Sequence, residues 1–201
     1  MVCILDGNFV KGVSEMDLSY TMRIAGVERA LPLCRVTDEL YIGAFVIFGD
    51  VELTCACAKG LLEVAPEHDL IITAESKGIP LAYEMARQEG VNDYVIARKR
   101  EKVYMSDVLE VTVQSITTKG EQKLYLGKDD VDKLRGKKVL IVDDVISTGE
   151  SLRALEALVE AAGGEIVGKA AILAEGDAAQ RKDIVFIEEL PLFDGEGNIL
   201  K

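Results

Sequence analysis

The stretch VLIVDDVISTGES, which spans Val139 to Ser151, decides the fold. Its first four apolar residues predict a buried strand, and a helix is predicted to begin at Glu150 and to end before Gly163. Asp143 and Asp144 stand at the carboxyl end of that strand. A loop of small residues comes next, formed by Ser147, Thr148, Gly149, Glu150 and Ser151.

The loop and the two acids suit different chemical groups. Backbone N–H groups of a small-residue loop at a helix N-terminus can surround a phosphate. Carboxylates do not bind phosphate, but they accept hydrogen bonds from hydroxyl groups or coordinate a divalent cation. Adjacent acids at a buried strand end are costly unless they bind something. The segment therefore predicts a ribose-5-phosphate site, and an ordinary capped helix is the alternative.

Short apolar runs alternate with helical segments on both sides of this stretch. Besides the strand at Val139–Val142, strands are predicted at Leu70–Thr73, Tyr94–Ala97, Ile166–Ala174 and Ile184–Ile187, and further helices at Val51–Val64 and Ile79–Glu89. This rhythm is typical of βαβ units, so we expect an α/β fold with a doubly wound, mainly parallel sheet flanked by helices. Ligands of such sheets bind at the carboxyl ends of the strands.

Three segments lie outside this rhythm. Ser19 to Leu33 reads as an N-terminal β-hairpin, or hood, and Met105 to Leu126 as a long flexible β-loop, with a static hairpin as the alternative. We expect a single domain over residues 1–201, with the hood in 1–40, the core in 41–189 and a C-terminal tail in 190–201.

Composition narrows the class of partner. The chain has 201 residues, a formal net charge of −12 and a hydrophobic content of 49%. An acidic chain is a poor partner for nucleic acid or anionic membranes, so neither is expected. No targeting or membrane segment is evident, and the four cysteines lack zinc-site spacing, so a cytoplasmic protein with reduced thiols is predicted.

The few cations are concentrated after two predicted strands. Glu75, Ser76, Lys77 and Gly78 follow the first of them. After the second comes RKREK, residues 98–102, with four cations in five positions. A cluster of positive charge in a chain that is negative overall favours an anion-binding role for this segment over that of a solvated loop.

Residues 139–151 resemble the phosphoribosyl pyrophosphate (PRPP) motif of the type I phosphoribosyltransferases. The resemblance implies that Asp143 and Asp144 contact the ribose hydroxyls and that Ser147–Ser151 hold the 5′-phosphate. It also implies pyrophosphate binding by Glu75, Ser76, Lys77 and Gly78, where adenine phosphoribosyltransferases read EARG. Arg98, Lys99 and Lys102 look like further phosphate ligands. The catalytic set implied by the resemblance is Asp143, Asp144, Lys77 and Glu110, with the Glu110 carboxyl facing the base from a mobile loop.

Ser147 and one apolar run indicate which base the enzyme would accept. Ser147 stands where the hypoxanthine-guanine enzymes place an aspartate, which favours adenine or xanthine. The run YIGAFVIFGD resembles the segment GxxFRDI that brackets adenine, with Gly49 in place of the arginine, so Phe45 and Phe48 are the candidate base contacts.

The resemblance implies a purine phosphoribosyltransferase of purine salvage, which transfers ribose 5-phosphate from PRPP to a purine base, adenine first. Mg²⁺ would be held mainly through PRPP, with no metal site of the protein's own, and a homodimer is expected. The alternatives are a xanthine or other nucleobase phosphoribosyltransferase and a PRPP-responsive regulator on the same fold. The net charge of −12 and the N-terminal hairpin, in place of a winged helix, count against the regulator.

Overall fold

The structure is a computed structural model that describes residues 18–114 and 121–200, and the backbone of two short strands before them. Contacts group the chain into two compact units. Unit 1 comprises Met1–Met22, Arg29–Phe45 and Pro191–Lys201, and unit 2 comprises Arg23–Glu28 and Val46–Leu190. The turn predicted at residues 117–120 lies outside the described residues.

The N-terminal strands form two small sheets, and the second of them also contains a strand from near the C-terminus. β1 (Ile4–Leu5) pairs with β2 (Asn8–Phe9). A second sheet contains β3 (Ser19–Ile24), β4 (Val27–Arg35), β5 (Tyr41–Gly43) and β13 (Leu192–Phe193). Across this sheet the strands lie in the order β13-β5-β4-β3. Ala25 and Gly26 both have positive φ in the turn between β3 and β4, which matches the twist of a tight hairpin. The predicted hairpin at Ser19 to Leu33 is thus confirmed.

Unit 2 contains a five-stranded parallel sheet of order β12-β11-β10-β6-β7. The strands are β6 (Leu70–Ala74), β7 (Val95–Ala97), β10 (Lys138–Ile146), β11 (Glu165–Glu175) and β12 (Val185–Leu190). The helices are α1 (Val51–Leu62), α2 (Ile79–Glu89), α3 (Lys128–Leu134) and α4 (Glu150–Ala161). The chain winds outwards in both directions from β6 and β10, so the doubly wound α/β prediction is confirmed. The topological switch point, where such sheets bind ligands, lies between these two strands.

Local sequence explains where the helices begin and end. The Asp50 side chain caps α1 by accepting a hydrogen bond from the backbone N–H of Leu53 at 3.1 Å. Pro80 occupies the first turn of α2, and Gly90 ends that helix in the left-handed conformation. Within the described residues, no helix combines the length and apolarity that a bilayer crossing requires.

The strand β10 is longer than the sequence predicts. Its parallel pairing with β11 continues through Val145 and Ile146, so Asp143 and Asp144 lie within the strand and not after it. The helix α3 was not predicted from the sequence.

The Met105 to Leu126 stretch forms an antiparallel ribbon of β8 (Leu109–Gln114) and β9 (Glu121–Leu126). Its apolar residues pack into the same hydrophobic cluster as α4; they are Leu109, Val111, Val113, Leu124 and Leu126. The prediction of a β-ribbon is confirmed for these two strands.

Candidate active site

Two neighbouring cavities of unit 2 lie at the carboxyl ends of β6 and β10. The larger, of about 240 Å³, is lined by Ala74, Glu75, Ser76, Lys77, Lys99, Asp143, Asp144, Val145 and Ser151. The smaller, of about 40 Å³, is lined by Asp143, Val145, Ile146 and residues 147–152. Asp143, Val145 and Ser151 line both, so one ligand can extend from one cavity into the other. We call the smaller cavity the phosphate cup.

The phosphate cup surrounds the start of α4. Gly149 precedes that helix with φ +74 and has no side chain that could cap the N–H groups of the first turn. Uncapped N–H groups at the positive end of a helix dipole attract an anion. All five residues predicted for the 5′-phosphate line this cup, and their role in binding it stays a prediction.

The acidic pair lies at the larger cavity, where Asp144 is buried and Asp143, which lines both cavities, is half-buried. Asp144 is 4% exposed, and its Oδ2 lies 2.5 Å from Nζ of Lys77, at ion-pair distance without a directed hydrogen bond. The backbone N–H of Asp144 donates to Oδ1 of Asp143 at 2.9 Å. Burial, and then the negative charge of Asp144, raise the pKa of Asp143, and the Lys77 charge opposes them. The pair therefore disfavours carrying two negative charges.

The loop after β6 is shaped by Gly78. A Cβ atom at this position would overlap the buried Oγ1 of Thr73 and would approach Oδ1 of Asp143. Glycine is therefore required for the loop to pass this close to β6 and β10. The peptide bond between Glu75 and Ser76 is cis.

Glu75 holds the basic run against this loop. Its Oε1 lies 3.3 Å from Nη1 of Arg98 and 3.5 Å from Nζ of Lys102, and its Oε2 accepts the backbone N–H of Lys99 at 3.1 Å. Burial alone would raise the pKa of Glu75, but the Lys99 hydrogen bond and the two cations together lower it. The Glu75 carboxylate thus contacts three residues of the basic run, and its predicted role in binding pyrophosphate stays a prediction.

Among residues 98–102, Lys99 lines the larger cavity. In the part of the chain that the structure describes, its ammonium group has no ion pair, whereas those of Arg98 and Lys102 are engaged by Glu75. Lys77 and Lys99 are thus the two cations that the structure brings to the cavity.

The other predicted site residues line neither cavity. Glu110 lies on β8, where its Oε1 is 2.9 Å from Nζ of Lys123, and this hydrogen bond lowers its pKa. Phe45 belongs to unit 1 and is 4% exposed, and Phe48 belongs to unit 2 and is 50% exposed. The roles predicted for these three residues stay predictions.

Two contacts at the phosphate cup were not anticipated from the sequence. The Nε2 of Gln122 on β9 donates to Oγ of Ser151 at 3.0 Å. The guanidinium group of Arg181 lies against Gly149, where its Nη1 would clash with an added Cβ. The alternation of Gln122 with Leu124 and Leu126 is the sequence signal that could have identified the first contact, while nothing in the sequence identifies the second.

Comparison with known proteins agrees with this geometry. The family model of the phosphoribosyl transferase domain matches residues 57–193. Xanthine phosphoribosyltransferase 1 of Clostridium perfringens is 34% identical over 131 residues, which cover 63% of this chain and 68% of the relative. The hypoxanthine/guanine phosphoribosyltransferase of Methanococcus voltae is 38% identical over 113 residues, which cover 56% of each chain.

A solved structure extends the likeness beyond the matched domain. The crystal structure of adenine phosphoribosyltransferase from Rhodothermus marinus aligns with a TM-score of 0.60 at 26% identity, and it covers 86% of this chain and 94% of that one. The resemblance of the PRPP motif is confirmed by a family match that includes the loop after β6, the basic run and the phosphate cup. The chain therefore belongs to the phosphoribosyl transferase domain family and is a phosphoribosyltransferase, an enzyme of the glycosyltransferase type.

Proposed function

We propose that this enzyme transfers ribose 5-phosphate from PRPP to adenine in purine salvage and releases pyrophosphate. The observation that carries the proposal is the pair of adjoining cavities, the phosphate cup and a larger cavity lined by two lysines and by Asp144, with Asp143 lining both. The purine class rests on the relatives, which are named for xanthine, hypoxanthine/guanine and adenine.

The phosphate cup anchors the substrate at one end. The N–H groups at the start of α4 and the hydroxyls of residues 147, 148 and 151 would hold the 5′-phosphate. Asp143 and Asp144 would accept hydrogen bonds from the ribose hydroxyls, which lie one sugar length from that phosphate. Anchoring both parts fixes the anomeric carbon for attack and lowers the entropic part of the barrier.

The larger cavity receives the leaving group. The bond between the anomeric carbon and pyrophosphate breaks, and a bond from that carbon to a purine nitrogen forms. The proton of that nitrogen passes to a proton acceptor. Lys77 and Lys99 place positive charge where pyrophosphate departs, and Arg98 and Lys102, held by Glu75, add to this potential. The Asp143–Asp144 pair opposes positive charge that develops on the sugar.

Mg²⁺ belongs to the same proposal. Carboxylate oxygens are the hard ligands that Mg²⁺ prefers, and Oδ2 of Asp144 is buried without a directed hydrogen bond, so the acidic pair fits a cation held mainly through the diphosphate and ribose hydroxyls. When bound, the cation neutralises charge on the leaving group.

The choice of purine base is inferred from position 147 and from a solved relative. Ser147, in place of an aspartate, favours adenine or xanthine over the hypoxanthine-guanine type, and the adenine enzyme of Rhodothermus marinus supports the first. We propose that Phe45 and Phe48 contact the base and that Glu110 faces it. A homodimer and a cytoplasmic location, both implied by the family, are part of the same proposal, and light scattering on the purified protein tests the dimer.

A panel of bases tests the function directly. The enzyme is incubated with PRPP, Mg²⁺ and, in turn, adenine, hypoxanthine, guanine, xanthine, uracil and orotate, and nucleotide formation is followed. We expect turnover to be fastest with adenine. Turnover with xanthine alone would overturn the adenine assignment, turnover with orotate or uracil alone would overturn the purine class, and PRPP binding without turnover would favour the regulator.

A further inference from the structure

Gln122 interrupts the apolar face of the ribbon next to the phosphate cup. Residues of β9 alternate between two faces, and Leu124 and Leu126 on one face are fully buried in the cluster that includes α4. Gln122 is the next residue on that face, towards the start of α4. A polar side chain at this position requires a partner, and that partner is Ser151.

The direction of this hydrogen bond determines what Ser151 can do. The Nε2 of Gln122 carries only donors, so the Ser151 hydroxyl accepts, at a distance of 3.0 Å. A hydroxyl that accepts still has its own proton to donate. Ser151 has no other side-chain hydrogen bond within the described residues, and it lines both cavities. Its proton is therefore available to an anionic ligand.

We propose that Gln122 is a positioning residue: it fixes the Ser151 hydroxyl as a hydrogen-bond donor to the phosphate group of the substrate and links the β8–β9 ribbon to the phosphate cup. The inference rests on the proposed function, since it requires a sugar phosphate in the cup. It adds that the ribbon, through one side chain, contributes to the affinity for the phosphorylated half of the substrate and not to that for the base.

Substitution to leucine separates this role from packing. Gln122→Leu removes the donor and continues the apolar face formed by Leu124 and Leu126, so the fold is expected to be retained. Gln114→Leu is the matched control, because Gln114 lies on the same ribbon and its Nε2 donates to Glu121 away from the cup. Gln122→Glu is the reversing variant, because a carboxylate only accepts and would take the Ser151 proton.

Ribose 5-phosphate is the probe, and its binding to the full chain is measured by calorimetry without any turnover. A hydrogen bond to a charged group is worth about a tenfold change in affinity, so we expect Gln122→Leu to weaken binding about tenfold and Gln122→Glu to weaken it more. Gln114→Leu is expected to bind as the wild type does. In turnover, Gln122→Leu should raise KM for PRPP by a similar factor and leave KM for the purine unchanged, a split that general structural damage would not produce.

A double-mutant cycle shows whether Gln122 acts through Ser151. In the Ser151→Ala background, Gln122→Leu should cause no further loss, because the hydroxyl that it positions is gone. Additive losses would overturn the inference, and so would an unchanged affinity of Gln122→Leu for ribose 5-phosphate. Failure of the wild type to bind either ribose 5-phosphate or PRPP would instead overturn the proposed function, so the two failures are distinguishable.

Discussion

The ammonium group of Lys77 lies 2.5 Å from Oδ2 of Asp144, and thus joins the loop after β6 to the strand β10 across the switch point of the sheet. The Asp144 carboxyl is buried, whereas the lysine side chain is 42% exposed. A half-exposed cation that neutralises a buried acid can also reach a ligand in the cavity, so we expect this pair to contribute both to stability and to ligand binding.

Lys77→Met is expected to impair both functions of the pair. Turnover should fall severely, and the free energy of unfolding should fall by about 1–3 kcal/mol, because a buried carboxylate loses its counter-charge. Urea unfolding and pyrophosphate release measure the two effects. The control is Lys77→Met combined with Asp144→Asn, which should recover stability and not turnover. Normal stability and turnover of the single variant would refute the role of the pair.

Asp143→Asn is expected to stabilise the protein in a pH-dependent manner. Burial and the Asp144 charge raise the pKa of Asp143 above its usual value of 3.8, so the folded state binds this proton more tightly than the unfolded state does. The wild type therefore loses stability as the pH rises from about 4 through the raised pKa, and the variant does not. The melting temperature of the variant should exceed that of the wild type by a margin that grows from about pH 4 to about pH 8. Turnover of the variant is expected to be lost. The same difference in melting temperature between variant and wild type at every pH would contradict this explanation.

Glu75→Gln tests whether the basic run needs its anchor. Arg98 and Lys102 lose their shared counter-charge, so we expect kcat/KM with PRPP to fall about tenfold. The pKa of Glu75 is lowered by folding, and the stability that Glu75 contributes is therefore present above its unfolded value of 4.5 and lost as the pH falls below it. Asp93→Asn, which removes a carboxyl paired with Lys133 outside both cavities, is the control. An unchanged or higher kcat/KM would mean that Glu75 merely competes with the substrate for the cations.

Gly78→Ala should destabilise the loop by overpacking. The added methyl group would overlap Oγ1 of Thr73, and such insertions cost about 1–3 kcal/mol. Thr73→Ala removes that oxygen, which is buried and has no hydrogen-bond partner within the described residues, so the double variant should recover part of the lost melting temperature. Equal melting temperatures of the single and double variants would show that Thr73 is not the obstacle.

The regular elements of the fold could be predicted because their apolar patterns are strong. Residues 70–72 and 139–142 are unbroken apolar runs, and the helix at Ile79–Glu89 has a proline in its first turn and is followed by a glycine. The helix α3, KDDVDKL, was missed because its only buried residue is Leu134, which leaves no periodic stripe. The extension of β10 was missed because polar residues continue a strand only when a neighbour such as β11 pairs with them.

The candidate site could be located from the sequence, but its internal contacts could not. Position after predicted strands identified Asp143, Asp144, the loop after β6 and residues 147–151, and all of these except Gly78 line one or both cavities. The pairing of Glu75 with Arg98 and of Lys77 with Asp144 depends on which strands become neighbours, and the sequence alone does not specify that order. Glu75 was expected to bind pyrophosphate, and this role stays a prediction; the contacts of its carboxylate with Arg98 and Lys102 could not be foreseen.

The position of β10 in the middle of the sheet has a consequence for biosynthesis. A chain synthesised only as far as Leu134 can pair β6 with β7, but it has no strand to insert beside β6 and no cup. The site forms only when β10 pairs with its neighbours on both sides, β6 from far upstream and β11 from downstream, and such non-local parallel pairing is slow. A ligand that bridges both strands then stabilises the finished domain by mass action and cannot stabilise its precursors. A sugar phosphate bound in the two cavities would consequently stabilise this domain only after both β10 and β11 have been synthesised.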